Sequence, residues 1–192
     1  LKNPVTGQTY AFFEPVLDYV VTKIPRWPFD KFSQANRKLG TQMKATGEVM
    51  AIGRTFEESL QKAVRSLEID ADGLLLAEHE SLSEETLRQR LSQPDDQRLF
   101  LLAEAFRRGH SIEEVQRWTQ IDRFFLRKIA GLVAMERQLQ HMGKQLEREV
   151  LWQAKRAGFS DARIAALCGT TEDDIRQLRK TYGIRPVYKM VD

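Results

Sequence analysis

Apolar residues recur at helical spacing through most of the chain after Thr55. This spacing predicts eight helices, over residues 56–68, 83–92, 96–108, 112–119, 122–142, 146–157, 161–168 and 172–182. The longest of them carries a broad apolar stripe from Phe125 to Met142, which is typical of a helix with neighbours on several sides. We therefore expect it to be the central helix of a helical domain.

The first 53 residues have the composition of strands and loops. Phe12–Val21 is rich in aromatic and β-branched residues, which predicts a strand, and Pro15 places the start of that strand at an edge or a bulge. Two prolines predict an extended loop over Ile24–Pro28. Gly47–Gly53 is apolar apart from a single glutamate, and it predicts a buried strand that leads into the first helix.

The first helix has a clear N-terminal signal. Thr55 and Glu58 stand three residues apart and predict a reciprocal capping box. Apolar residues then follow at helical spacing and predict one buried face: Phe56, Leu60, Ala63, Val64 and Leu67. The segment from Asp72 to about Leu82 is acidic and rich in serine, and we expect a linker there. The fold class is therefore mainly α, with a short β and loop portion before the helices.

An internal repeat with a period of 49 residues lies within the helical part. Ala105–Ser111 matches Ala154–Ser160, and in each copy a glycine is placed to end one helix while a serine caps the next. Further on, Val115 aligns with Ile164. We expect two copies of a helix, a turn and two more helices, packed around a shared apolar centre.

Composition limits the classes of function. The chain carries 30 basic and 27 acidic residues, both signs are interspersed, and no block of five like charges occurs. No apolar run approaches the ~18 residues that cross a bilayer, and no signal peptide is visible. One cysteine, Cys168, cannot form an internal disulfide and is expected to pack in the core. Because the chain begins at Leu1, we expect an internal piece of a longer cytoplasmic protein.

Metal and nucleotide chemistry find little support in the sequence. His79, His110 and His141 are widely spaced, and each lacks a second ligand one helical turn away. No glycine-rich phosphate loop is present. We therefore expect no metal site, no cofactor site and no catalytic residue in this chain.

Several segments resemble the large subunit of carbamoyl phosphate synthetase. They are Met43–Ser59, Phe13–Pro15, Asp18–Val21, Lys23–Trp27, Ser160–Arg163 and Ile184–Asp192. In that family two homologous synthetase halves carry a Gly-Glu-Val-Met box, and the long helical region that follows the box here resembles the oligomerization domain between the halves. The resemblance implies that 1–68 end the carboxyphosphate-forming ATP-grasp domain and that 69–192 form the helical oligomerization domain.

The same resemblance implies the function of the parent enzyme. It is expected to make carbamoyl phosphate from bicarbonate, glutamine-derived ammonia and two ATP, with Mg²⁺ or Mn²⁺, for arginine and pyrimidine synthesis. Expected partners are the remainder of the large subunit, a glutaminase subunit or domain, and further copies through the helical domain, which would serve assembly and allosteric coupling. Neither nucleic acid nor membrane is an expected partner, and the fragment alone is expected to be inactive.

The family passes an unstable carbamate along an internal tunnel. By resemblance, Leu17, Met43 and Glu48 occupy positions that line this tunnel. An alternative is that Glu48 forms a structural ion pair with Lys44 or Arg54. The two roles are compatible with each other.

Two further hypotheses concern the helical part. Ser160–Tyr182 has the pattern of a helix-turn-helix DNA-binding module, although its second helix begins with three acids that phosphate would repel. The other hypothesis is a pure assembly module with Phe124, Phe125 and Trp152 as contact residues.

One expectation concerns the first strand. Val16–Val21 needs a partner strand, and by resemblance the rest of the synthetase half supplies it. We expect this edge to be disordered, swapped or paired with another chain when the segment is alone.

Overall fold

The computed structural model describes residues 1–5, 7, 8, 10 and 18–188. Within these residues it contains eight α-helices, one 3₁₀ turn and a two-stranded sheet, so the predicted mainly α class is confirmed. None of the described helices is long and apolar enough to span a bilayer. In chain order the elements are β1 (Val20–Arg26), β2 (Gly47–Gly53), α1 (Phe56–Arg65), the 3₁₀ turn (Ala77–His79), α2 (Glu84–Ser92), α3 (Arg98–Arg107), α4 (Ile112–Thr119), α5 (Arg123–Met142), α6 (Arg148–Arg156), α7 (Asp161–Cys168) and α8 (Glu172–Thr181).

All eight predicted helices are confirmed, with ends that differ by up to three residues. The largest difference is at α1, which ends at Arg65. Glu68 shortly afterwards has a φ of 53°, in the left-handed region, so the helix cannot continue to the predicted end.

The sheet corrects two predictions. β1 pairs antiparallel with β2 from Val20 opposite Gly53 to Arg26 opposite Gly47, so the partner of the first strand comes from this chain. The expectation that Val16–Val21 lacks a partner here is therefore wrong for its last two residues, and its first two lie outside the described residues. The loop predicted over Ile24–Pro28 is also wrong in its first half, because β1 continues to Arg26.

α1 covers one face of the sheet. The Thr22 and Ser59 hydroxyl oxygens are 2.7 Å apart across this contact. A Cβ on Gly53 would lie 2.7 Å from the Ser59 backbone nitrogen, so the close approach requires glycine there. β2 is therefore buried on one face alone, and its residues alternate between buried and exposed positions.

The start of α1 differs slightly from the predicted capping box. The Thr55 hydroxyl accepts the Glu58 N–H at 3.2 Å, as expected for an N-cap. The Glu58 carboxylate, however, accepts the N–H of Arg54, one residue before the cap, at 2.8 Å. The reciprocal half of the box is thus shifted by one residue.

The core lies among the remaining helices, with α5 at its centre. α5 packs against α1, α3, α4 and α7, which confirms its predicted position. The segment predicted as a linker is also packed into this body, since Leu74 and His79 are buried. The Arg108 guanidinium donates to the carbonyl oxygens of His79 and Leu82 and fixes the segment in place.

The structure confirms the internal repeat. α4 and α7 begin 49 residues apart, at Ile112 and Asp161, and α5 and α8 begin at the same offset. Gly109 and Gly158 end α3 and α6 with φ values of 93° and 91°. In both turns the residue after the glycine donates its N–H to the carbonyl five residues earlier, the Schellman pattern.

Candidate functional site

Glu48 lies at the second position of β2, on the sheet face that α1 does not cover. Its side chain is more than half exposed, and its carboxylate lies 2.7 Å from the Lys23 ammonium. The predicted partners were wrong: Lys44 donates to the backbone carbonyls of Asn36 and Lys38, and Arg54 pairs with Asp18.

The other two tunnel candidates are placed as follows. Met43 is almost fully exposed, in the segment before β2. Leu17 lies outside the described residues. The tunnel-lining role of the three residues therefore stays a prediction.

The outward face of the sheet is largely apolar. Strand pairing puts Val21, Ile52 and Met50 on this face together with Lys23 and Glu48. The three apolar side chains are exposed by 43%, 40% and 61%. This face is therefore a candidate surface for contact with other protein.

A second polar centre lies between α3, α5 and α7. The Glu136 carboxylate is 93% buried and accepts hydrogen bonds from Arg107 Nε at 2.8 Å and Arg163 Nη2 at 2.9 Å. Arg107 also donates to the Leu74 carbonyl at 2.7 Å. One buried carboxylate thus joins both copies of the repeat to the segment that precedes α2.

Ion pairs also hold the ends of neighbouring helices. Arg108 pairs with Glu104 and Glu84, each at 2.8 Å, and His110 Nε2 lies 2.8 Å from the other Glu84 oxygen. The hydrogen bonds from Arg108 and then His110 lower the pKa of Glu84 below its ordinary value.

Another buried carboxylate, Asp161, lies in the second copy of the repeat. It accepts hydrogen bonds from Lys155 at 2.9 Å and Arg179 at 2.5 Å, so it links α6, α7 and α8. Burial alone would raise the pKa of Asp161, but these two cations outweigh it and lower the pKa. Asp161 is therefore a charged structural group.

The reactive residue types serve packing. Cys168 lies in the core, as predicted, with its sulfur 3.4 Å from the Leu139 carbonyl, and burial raises the pKa of the thiol. His79 is buried with Nε2 3.1 Å from the Gln97 amide oxygen, and burial lowers its pKa, so the ring is neutral at pH 7. Within the described part of the chain, no three His, Cys, Asp or Glu side chains are placed to hold a metal ion.

The helix-turn-helix hypothesis concerns α7 and α8, which pack against each other. Asp174 caps the start of α8 with Thr171, and Arg176 pairs with Glu172 and Asp173. Arg179 is held by Asp161. The helix that would contact DNA therefore begins with acids, and Arg176 and Arg179 already form ion pairs with carboxylates of this chain. Both features disfavour phosphate binding.

Sequence reasoning missed the buried ion pairs. A signal was available, because Glu104 and Glu136 interrupt the apolar faces of α3 and α5. Carboxylates at such positions are rarely buried without a paired cation. Arg107 and Arg108 follow Glu104 at helical spacing and could have been read as its partners. The partners of Glu136 could not be read from the sequence, since Arg163 comes from a helix 27 residues further on.

A family profile described as "Carbamoyl-phosphate synthetase large chain, oligomerisation domain" matches residues 48–183. The chain is 57% identical over all of its 192 residues to the carbamoyl phosphate synthase large chain of Thermoanaerobacter sp. strain X514. It is 56% identical to the protein of the same name from Caldanaerobacter subterraneus subsp. tengcongensis and 57% identical to that from Thermoanaerobacter pseudethanolicus. In each case it spans 18% of the relative's length. The chain therefore belongs to the carbamoyl phosphate synthetase large-chain family and contains its oligomerisation domain.

Proposed function

We propose that this chain is an assembly scaffold within a carbamoyl phosphate synthase large chain, joining the end of one synthetase half to a helical domain that self-associates. The domain boundary is proposed at residue 68, after α1. The family match begins at residue 48 and so does not mark this boundary, but it supports the assembly role, as do two exposed apolar surfaces, the outward sheet face and an aromatic cluster where α1 meets α5.

The aromatic cluster consists of Phe56, Phe124 and Phe125, and it is the observation that carries the assembly role. The ring centroids of Phe56 and Phe125 are 5.5 Å apart, and those of Phe124 and Phe125 are 5.3 Å apart. About half of each α5 ring is exposed. Lys128 lies over Phe124 and pairs with Glu57, which places charge at the rim of the cluster. Aromatic anchors with a polar rim are typical of protein interfaces.

The mass of the chain in solution tests this role. Light scattering over a range of concentrations is expected to show association, and the double substitution F124S/F125S is expected to leave a monomer with unchanged helical circular dichroism. Phe32, which is 61% exposed against 52% and 44% for Phe124 and Phe125 and lies outside this cluster, provides the control F32S. Association that survives F124S/F125S, or a wild-type monomer at every concentration, would refute the role.

The parent enzyme is proposed to form carbamoyl phosphate from bicarbonate, glutamine-derived ammonia and two ATP, for arginine and pyrimidine synthesis. The described residues contain no cluster of three or more potential metal ligands that could hold Mg²⁺, and they contain no glycine-rich phosphate loop. The nucleotide and metal sites are therefore proposed for the rest of the large chain, and the glutaminase for a further subunit or domain.

The proposal for Leu17, Met43 and Glu48 is that they line the path of an intermediate in the parent enzyme. Carboxyphosphate and carbamate decompose in water, so a shielded path has a clear chemical purpose. Glu48 lies on the largely apolar outward sheet face and Met43 is exposed in the segment before β2, which is consistent with a wall that the rest of the enzyme completes.

Coupling between ATP use and product formation tests this role in a full-length large chain with its glutaminase. Glu48→Gln is expected to raise the ratio of ATP hydrolysed to carbamoyl phosphate formed, because more intermediate escapes. Glu113→Gln, an exposed glutamate on α4, is the matched control. An unchanged ratio in Glu48→Gln would show that the residue has no part in guiding the intermediate.

A DNA-binding function is the competing proposal for α7 and α8. It predicts that the chain binds duplex DNA with a steep salt dependence. The acidic start of α8 leads us to expect no binding at low salt, which an electrophoretic mobility assay measures directly.

A further inference from the structure

A cleft of about 170 Å³ opens between α3, α5 and α7, away from the aromatic cluster and the sheet. Three arginines line it, namely Arg107, Arg137 and Arg163, and Leu75 and Leu167 add apolar wall. The three guanidinium groups come from three helices and from both copies of the repeat. This convergence is not required by the assembly role.

Two of these arginines have unused hydrogen-bond donors. Arg163 gives one nitrogen to Glu136, while its Nε is buried and has no acceptor. Arg137 uses Nη2 for the carbonyls of Phe106 and Arg107, and its other nitrogens form no hydrogen bond within the described residues. A buried donor without an acceptor, such as Arg163 Nε, is uncommon in folded proteins and indicates a missing partner, whereas Arg137 is exposed and offers its free nitrogens at the open side of the cleft.

The charge in the cleft favours an anion. Glu136 is enclosed by Arg107 and Arg163, so it orients two cations and its own charge is offset. Glu80 is the other carboxylate lining the cleft. Three guanidinium groups against two carboxylates leave one net positive charge in a partly enclosed space, where electrostatic attraction is stronger than in bulk water.

We propose that this cleft binds a small free oxyanion, such as inorganic phosphate, through Arg137 and Arg163, with Gln140 as a further donor. Planar guanidinium groups match the oxygen spacing of such anions. Gln140 also lines the cleft, one turn after Arg137 on α5. The bound anion bridges α5 and α7 and so ties the two copies of the repeat together.

Phosphate binding to the chain tests the proposal, by equilibrium dialysis and by thermal unfolding at constant ionic strength. Wild type is expected to bind one phosphate per chain. Arg137→Gln is expected to weaken binding about tenfold, the loss expected for one charge-assisted hydrogen bond. Arg127→Gln, which removes an exposed arginine that does not line the cleft, is the matched control and is expected to bind normally.

The comparison between variants carries the test, because phosphate stabilises most folded proteins through exclusion from their surface. That general effect is the same in wild type, Arg137→Gln and Arg127→Gln. Dialysis of wild type gives a second measurement that needs no variant to fold. No uptake of phosphate by wild type at 10 mM, or equal uptake by Arg137→Gln, would overturn the proposal, while the assembly role would be unaffected.

Discussion

At the scale of single residues, buried carboxylates hold the helical body together. Asp161 shows the arrangement most simply, because its two cation partners come from the helices on either side of it. Breaking such a pair from one side is costly, since it leaves charge in a site shielded from water. The carboxylate therefore fixes which helices meet at this point.

Replacing Asp161 with Asn is expected to lower the free energy of unfolding at pH 7 by about 2 to 4 kcal/mol, a range reduced for the partial exposure of Lys155 and Arg179. The lowered pKa of Asp161 means that its stabilisation is complete above the ordinary value of 3.8 and is lost as the pH falls through the lowered value. The difference from wild type should thus shrink at very low pH. Urea unfolding at a series of pH values from 7 down to 2 measures both effects.

The matched control for this prediction is Asp173→Asn, which removes a carboxylate that is 83% exposed and paired within one helix. It is expected to change the stability by less than about 0.5 kcal/mol. Equal effects of the two substitutions would mean that the buried ion pairs do not organise the helical body.

At the scale of elements, local patterns were predictable and non-local pairings were not. The eight helices and the repeated turns follow from short-range spacing, because a glycine and a serine define each junction. The partner of Glu48 was sought among residues close to it in sequence. Strand register instead brings Lys23 onto the same face, two positions from the residue opposite Glu48. Tertiary placement decides such contacts, and no local signal encodes it.

The two repeated turns offer a matched comparison between elements. α1 docks on the second turn, where Gln61 donates to the Ala157 carbonyl and Arg65 to the Gly158 carbonyl. A Cβ on Gly158 would lie 2.9 Å from the Glu58 Cα, whereas a Cβ on Gly109 would meet nothing within 4 Å. The two glycines thus share one backbone conformation, but Gly158 is closely surrounded by α1 whereas Gly109 has open space around it.

Both Gly109→Ala and Gly158→Ala are expected to cost about 1 kcal/mol for the positive φ. Gly158→Ala should cost a further 1 to 3 kcal/mol, roughly, because the added methyl group forces α1 away from the turn. Chemical denaturation of the two variants measures the difference. Equal losses would show that α1 does not pack tightly on the second copy.

At the scale of the whole molecule, α1 connects the sheet to the helical body. Lys128 on α5 pairs with Glu57 at 3.0 Å, and Phe56 packs on the rings at the start of α5. The inner face of the sheet is thereby covered and the outer face is left exposed. Relatives that share the whole chain are more than five times as long, so they have ample further chain to cover that face.

The outer face of the sheet is therefore expected to be buried in a full-length large chain. A thiol placed by Met50→Cys should react rapidly in the present chain, because that side chain is 61% exposed, and at least about tenfold more slowly in the full-length protein. Cys168 is buried and contributes little background. Labelling with a thiol reagent, with the unsubstituted protein as control, gives both rates. Equal rates would contradict the prediction and place this apolar face on the surface of the complete enzyme.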